Sequence, residues 1–252
     1  MTKVVFAWIL VAAFWATGGT GIAFAKDATS LPLHKGARVG VINLMDSELT
    51  HFHGSKVLSQ SFLKTLAVNW QLQSLLIDSV TPRLTQYGLV ALPLSAPEDL
   101  LRTRDLVFVE GSVAKRLPRE TAAMFAALGA AEHVDALIVL APSLNNSAQA
   151  GGSVRHALPD YLRGFGFVTS DTGEKPALFN MTQMLLIAIG PDGARLVARE
   201  WGGAYAEEWS DYVAPADLRQ FPPEQLDALK PLFSRILTRQ AGRLLDWITI
   251  VD

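Results

Sequence analysis

Polar side chains that could do chemistry cluster directly after the first buried stretch of the sequence, in LMDSELTHFHGS. His51 and His53 are two positions apart, so on a strand both imidazoles would share one face and could supply half of a zinc or copper site. Asp46 or Glu48 is the candidate third ligand. Sites in α/β proteins often lie beyond the ends of buried strands. The segment from Asp46 to His53 is therefore the candidate centre of a metal-dependent or hydrolytic enzyme.

A serine nucleophile is the second chemistry to weigh in this segment. Asp46-Ser47 is similar to the Asp-Ser pair of GDSL-type lipases and esterases, although Met45 replaces their glycine. Those enzymes activate the serine with a base from a late Asp-x-x-His motif. The chain has no such motif, and no histidine follows His156. Without a base the serine stays an ordinary alcohol, so serine hydrolysis is not expected.

The stretch RGFGFVTS, from Arg163 to Ser170, fits the RNP1 signature of RNA-recognition motifs at every position except the last. Such a domain needs a second central strand with a stacking aromatic. The best match is VGVINL, which has Gly40 in that place and lies more than a hundred positions earlier. The formal net charge of −2 also lacks the basic excess that phosphate binding requires. The alternation of Phe165 and Phe167 with glycines favours a packed strand, and no nucleic-acid partner is expected.

Aromatic and acidic residues alternate in WGGAYAEEWSDYV, which contains Trp201, Tyr205, Trp209 and Tyr212. Exposed aromatics of this kind anchor protein or sugar partners, whereas buried ones simply cover a sheet. Both interpretations stay open from the sequence. These four residues are the candidate partner-binding set, and the Ser-, Asn- and Gly-rich loop 146–159 is a second candidate contact surface.

The amino end has the pattern of an export signal. Lys3 precedes an uninterrupted apolar stretch, and Ala23-Phe24-Ala25 supplies the small residues that a signal peptidase recognises. We expect cleavage after Ala25 and a periplasmic mature chain; the alternative is an uncleaved anchor, because Val4 to Ala25 carries no charge. No further membrane span is expected. The chain has no cysteine, which excludes disulfides, thiolate metal sites and a lipid-modified cysteine.

The elements that must position these residues alternate between strand and helix and then end in a hairpin. Strands are predicted over 38–44, 89–94, 136–140 and 161–170, and an ambiguous segment over 56–68 is assigned to a strand. Helices are predicted after Asn69, with Pro82 ending or restarting the first one, over 97–104 as a short turn, from Pro118, and from Pro223. Residues 178–189 and 194–201 form a hairpin across Gly190-Pro-Asp-Gly193.

This element order resembles a family of cell-envelope proteins. The helix followed by LGAAEHVDALIVLAPS, and the hairpin that ends in GPDGARLVAREWGG, are similar to the α/β domain of proteins related to the curli-secretion lipoprotein and to the TolB amino-terminal domain. The matching positions are Leu128-Gly129, the strand from Val134 to Val139, and Asp192-Gly193. The resemblance spans Arg38 to Trp201. It implies a periplasmic, non-enzymatic assembly or binding role and transfers no functional residue.

Together these observations predict an α/β fold: a mixed open sheet with an antiparallel C-terminal hairpin, flanked by helices. The domain organisation expected is a signal peptide over 1–25 and one periplasmic domain over 26–252. The function expected is binding or assembly of a cell-envelope protein partner, without catalysis and without a cofactor. The alternative is a periplasmic metal-dependent or hydrolytic enzyme that uses the loop from Asp46 to His53.

Overall fold

A computed structural model describes residues 30–104, 116–143, 162–171, 175–202 and 207–251 of the chain. The expected signal peptide, the candidate contact loop 146–159 and Tyr205 lie outside these residues. Within the described part no helix is both long and apolar enough to cross a membrane.

Strands and helices alternate through the first half of the described chain and strands dominate the second. The strands are β1 (Leu31–His34), β2 (Arg38–Asn43), β3 (Glu48–Gly54), β4 (Phe62–Ala67), β5 (Val90–Pro93), β6 (Ala136–Pro142), β7 (Gly164–Ser170), β8 (Ala177–Gly190), β9 (Gly193–Trp201), β10 (Glu207–Glu208) and β11 (Ile248–Val251). The helices are α1 (Leu72–Gln86), α2 (Glu98–Arg102), α3 (Arg119–Ala131), α4 (Pro223–Asp227) and α5 (Lys230–Leu245).

Nine of these strands form one mixed sheet, whose main path runs β4-β3-β7-β8-β6-β2-β5. Strand β2 pairs in parallel with β5 and β6, and β3 pairs in parallel with β7, while the remaining neighbours on the path are antiparallel. The long strand β8 pairs with β7 and β10 through its first half and with β6 and β9 through its second. A separate two-stranded parallel sheet joins β1 to β11.

Helices cover both faces of the large sheet. Helices α1 and α5 pack with Val39, Ile138 and Leu186 on one face, which we call the α1 face. Helices α2 and α3 pack with Ile42, Val139 and other residues of the opposite sides of the same strands, which we call the α3 face. The expected α/β architecture, with its open mixed sheet, antiparallel hairpin and flanking helices, is confirmed. The hairpin β8–β9 also lies where the sequence predicted it.

Helix α1 differs from the sequence prediction because it runs through Pro82 without ending there. Proline in a helix interior removes one backbone hydrogen bond and costs about 3 kcal/mol. Leu76, Val80 and Leu84 are all fully buried on both sides of the proline. Burial of three such side chains contributes more than the proline costs, since each contributes about 2 kcal/mol. Tertiary packing therefore keeps the helix continuous.

The carboxyl-terminal region also departs from the prediction of one helix from Pro223. It consists of the short α4, then α5, and finally β11, which follows Trp247. The apolar stripe of α5 is correct, with Phe233, Ile236 and Leu237 buried. Trp247 lies beyond the end of the helix. The alternation in ITIV continues as a strand because β1 offers it an unpaired edge.

A buried polar cluster fastens α5 to the middle of β8. Thr182 Oγ1 donates to Asn180 Oδ1 at 2.7 Å, and Asn180 Nδ2 donates to Gln240 Oε1 at 3.1 Å. Gln240 Nε2 then donates to the backbone carbonyl of Glu200 in β9 at 2.9 Å. Asn180, Thr182 and Gln240 are at most 1 % exposed. Each polar group that loses water here gains a partner, so the cluster fixes the position of α5 over both strands.

Gly166 gives a direct test of the packing between β3, β7 and β8. A Cβ at this position would lie 2.0 Å from the Thr50 carbonyl oxygen and 2.2 Å from Phe179 Cζ. Because one obstacle is backbone, we expect Gly166→Ala to lower the free energy of unfolding by about 2–3 kcal/mol. Urea unfolding followed by circular dichroism measures this.

Gly190→Ala is the matched control, since a Cβ there meets no atom within 4 Å and the backbone angle is ordinary. We expect a change below about 0.5 kcal/mol for it. Equal losses in the two variants would contradict the close approach of β7 to its neighbours.

Candidate functional site

The two histidines of the candidate metal site lie on a strand. The sequence predicts a loop from Asp46 to His53, and this is wrong from Glu48 onward, because Glu48–Gly54 forms β3. The strand alternates, so that Leu49, His51 and His53 are buried on the α1 face. The two imidazoles therefore share one face, as their spacing predicts.

Both imidazoles make a hydrogen bond to the same hydroxyl group. His51 Nε2 lies 2.7 Å from Thr169 Oγ1, and His53 Nδ1 lies 2.9 Å from the same oxygen. Thr169 is on β7 and is the direct cross-strand partner of His53. A hydroxyl has one proton, so it can donate to only one ring and must accept an N–H from the other. The protonation states of the two rings are thus linked through Thr169.

Burial keeps His51 neutral. Its side chain is fully buried, and burial, followed by the nearby His53, lowers its pKa from 6.5 to about 3. The backbone of Leu218 opposes this shift, although no described atom meets hydrogen-bond geometry at His51 Nδ1. Burial also lowers the pKa of His53, and the Asp171 carboxylate acts in the opposite direction. A ring that cannot accept a proton near neutral pH is a poor general acid.

The geometry does not gather a set of metal ligands around this pair. The two nitrogens that would bind an ion, His51 Nε2 and His53 Nδ1, both point at Thr169 Oγ1, so the hydroxyl occupies the position between them. Among the described residues no group of three or more His, Asp or Glu side chains is placed to hold a metal ion. An ion between the two rings would have to displace Thr169.

Asp46 and Ser47, the other candidates in this segment, are held by separate contacts. Asp46 forms an ion pair with Arg104, with Oδ1 2.6 Å from a guanidinium nitrogen. The Ser47 hydroxyl donates to the Trp70 carbonyl oxygen at 2.9 Å. Neither contact involves His51 or His53. The side chains that the sequence groups together are therefore divided among three separate contacts in the fold.

An aromatic layer covers the histidine pair. His51 stacks on Phe167 with ring centroids 4.5 Å apart, and Phe221 meets both rings edge-on at 5.0 and 4.9 Å. Trp209 packs against Phe167 at 5.2 Å and against Tyr212 at 5.0 Å. Offset and edge-to-face contacts of this kind add about 1 kcal/mol each beyond burial. The aromatic segment after β9 therefore seals the histidine pair from solvent.

The four candidate partner-binding aromatics have different environments. Trp209 is only 4 % exposed, so its ring covers the sheet. Tyr212 and Trp201 are partly exposed, and Tyr205 lies outside the described residues. Trp201 carries the guanidinium of Arg199 stacked over its ring, with Arg199 Cζ 4.0 Å from the centroid. The binding role of these residues remains a prediction, now centred on the two that reach the surface.

The RNP1-like strand is part of the core. Phe165 and Phe167 on β7 are at most 1 % exposed and belong to the α1 face, where Phe165 also meets Phe233 of α5 at 5.2 Å. Gly166 lies between them and faces the opposite side, where it allows the close approach of Phe179. Buried rings cannot stack on bases. The alternation is therefore explained by packing.

Sequence reasoning did not identify Thr169, Phe221 or Arg199 as site residues. Thr169 continues the alternation of Phe165 and Phe167, so its face could have been predicted, but its pairing with β3 depends on long-range register. Phe221 lies in a polar connection with no periodic signal. Arg199 occurs in a regular strand pattern and reaches its position through a local irregularity of β9. These residues are recognisable only after the strands are paired.

The buried neutral state of His51 predicts a pH-dependent stability. Below pH 6.5 the unfolded chain gains a proton that the folded chain takes up only near pH 3, so stability falls as the pH decreases between these values. Between pH 7.5 and pH 5 this one group costs about 2 kcal/mol. His51→Gln removes it, and we expect the variant to lose about 2 kcal/mol less than the parent across this interval in urea unfolding.

His34→Gln serves as the control, since His34 is exposed at the end of β1. It should show the same pH dependence as the parent chain. An unchanged pH dependence in His51→Gln would mean that His51 is not held neutral by the fold.

The chain was compared with known protein families, curated proteins and solved structures. The chain matches no protein-family model, no curated protein and no solved structure. The resemblance to the curli-secretion and TolB proteins therefore remains a prediction that depends on the residues quoted for it.

Proposed function

We propose that the protein is an exported cell-envelope protein that binds or assembles with another envelope protein, without catalysis of its own. The observation that carries this proposal is the separation of the candidate catalytic groups. Asp46, Ser47 and the histidine pair each satisfy a different structural contact. An enzyme would bring such groups together with a third titratable group in one cleft.

Partly exposed aromatics supply the contact surface in this proposal. Trp201 ends β9, and Tyr212 lies at the margin of the aromatic layer, where burial raises its pKa. Tyrosine and tryptophan are enriched among residues that dominate binding energy, because each offers a large rigid apolar area and a polar group. The export signal expected over residues 1–25 supports a location in the periplasm.

Capture of partners from periplasmic extract tests the proposal. The mature chain is tagged after Asp252 and compared with Trp201→Ala and Tyr212→Ala, and the metal content of each purified sample is read by mass spectrometry. We expect a stoichiometric protein partner whose recovery falls at least 10-fold in one of the variants, since the loss of an anchoring aromatic costs about 2 kcal/mol of binding.

Exposed Val251 provides the matched control, because it is an apolar side chain in the separate β1–β11 sheet, 43 % exposed. Val251→Ala should retain the partner. Stoichiometric zinc or copper that is lost when His51 and His53 become alanine would contradict the proposal and favour the enzyme that uses the Asp46 to His53 segment.

A further inference from the structure

Arg199 is a partly buried cation that has no counter-charge among the described residues. Its Nε atom is buried and has no hydrogen-bond partner, and its guanidinium forms no ion pair with a described residue. The guanidinium contacts the Trp201 ring instead. A guanidinium has five N–H donors and keeps its charge at any ordinary pH. The fold removes Nε from water without providing an acceptor, which costs free energy, while the terminal nitrogens stay accessible to a partner.

Neighbouring arginines show the usual arrangement. Arg243 Nε lies 3.0 Å from Glu200 Oε2, and both Arg235 and Arg239 pair with the Glu207 carboxylate. These three arginines are on α5 and lie over the α1 face. Glu200 is on β9 directly beside Arg199, yet its carboxylate is directed to α5. The unpaired state of Arg199 therefore does not reflect a shortage of acidic residues nearby.

A β-bulge places Arg199 on the other face of the sheet. Ile187 pairs with Leu196 and Leu186 pairs with Ala198, so Val197 is the extra residue. Leu196 accordingly packs on the α3 face and Ala198 on the α1 face, although both would share one face in a regular strand. After the bulge, Arg199 and Trp201 follow on the α3 face. Bulges commonly redirect a side chain near a functional site.

Electrostatics agree with this geometry. Burial lowers the pKa of Arg199 to about 10, and no carboxylate of the described residues raises it again. The Arg83 guanidinium gives the contrast, since Tyr87 and Asp246 raise its pKa. An anion placed against Arg199 would supply the interaction with a counter-charge that no described residue provides.

We infer that Arg199, held over the Trp201 ring, is a binding site for the carboxylate of an acidic side chain from the protein partner. The inference depends on the proposed function, because it names the chemistry that the same surface would recognise. The planar guanidinium can bind a carboxylate through two parallel N–H···O bonds. Trp201 fixes the plane in advance and offers apolar area to the stem of an aspartate or glutamate.

Charge balance favours a carboxylate over a phosphate. One guanidinium supplies one positive charge, and no second cation shifts the pKa of Arg199. A phosphate group would bring close to two negative charges to a chain whose formal net charge is already −2. A single carboxylate matches the single charge.

Side-chain NMR of the mature chain tests the site directly. The Arg199 Nε–H resonance is identified by its loss in Arg199→Met, and the protein is titrated with acetyl-Gly-Glu-Gly-amide at millimolar concentrations and constant ionic strength. We expect a saturable shift of this resonance, because a carboxylate bound to the terminal nitrogens changes the charge beside the Nε proton. The uncharged acetyl-Gly-Gln-Gly-amide should produce a shift at least fivefold smaller.

Two results would overturn the inference in this titration. One is an Arg199 signal that does not respond to the glutamate peptide or responds equally to the glutamine peptide. The other is inorganic phosphate producing the same shift at a lower concentration than the glutamate peptide, which would replace the carboxylate by a phosphate ligand.

Thermal unfolding separates a binding role from a structural one. If Arg199 serves to bind a partner and does not stabilise the fold, Arg199→Met keeps or raises the melting temperature of the isolated chain, since a desolvated charge is removed. Arg243→Met is the matched control, and loss of its ion pair should lower the melting temperature by about 1–3 °C. A larger decrease for Arg199→Met than for this control would overturn the inference, because the guanidinium would then stabilise the fold.

The capture experiment distinguishes this inference from the proposed function. A partner that is lost with Trp201→Ala but retained with Arg199→Met supports the binding function and overturns the role of Arg199. Binding of the glutamate peptide to a chain that captures no protein supports the carboxylate site and contradicts the partner.

Discussion

The architecture depends on the register of β8, the fourteen-residue strand in the middle of the large sheet that pairs with four other strands. Its first half pairs with β7 and β10, and its second half pairs with β6 and β9. The register of this one strand therefore sets the alignment of both groups of strands. A shift of one residue would turn its buried side chains to the wrong faces. The cluster of Asn180, Thr182 and Gln240 makes such a shift costly, because it would leave buried polar groups unpaired.

The two faces of this sheet treat polar groups differently. On the α1 face polar side chains bind one another, as in the linked pair of His51 Nε2 and His53 Nδ1 at Thr169, and an aromatic layer closes over them, although His51 Nδ1 has no described partner. On the α3 face the bulge in β9 directs a cation outward without an acceptor. Residues that resemble an active site in the sequence thus each make a separate structural contact, while an arginine with no motif around it carries the binding chemistry that we infer.

Local patterns in the sequence were sufficient for the elements whose signals are local. The alternation of Phe165 and Phe167, the apolar run of β6 and the turn at Gly190 to Gly193 specify their strands without help from distant residues. Helix α1 was predicted to end or restart at Pro82 because the helix-breaking tendency is local and the burial that overrides it is not. For the site, the spacing of the two histidines predicted their common face. Their shared partner depends on the pairing of strands more than a hundred residues apart, which no single stretch encodes.

The small parallel sheet has a consequence for the order in which the chain can fold. Strand β1 begins at Leu31, and its partner β11 begins at Ile248, so this pairing has almost the longest sequence separation that the chain allows. A chain that emerges amino end first presents Leu31 and Leu33, later buried, long before their partner exists. The entropy of closing so large a loop favours formation of this contact after the main sheet has brought the two ends together. The β1–β11 pair would then complete folding, so a stalled or truncated chain would keep two apolar side chains and an unpaired strand edge accessible to chaperones and proteases.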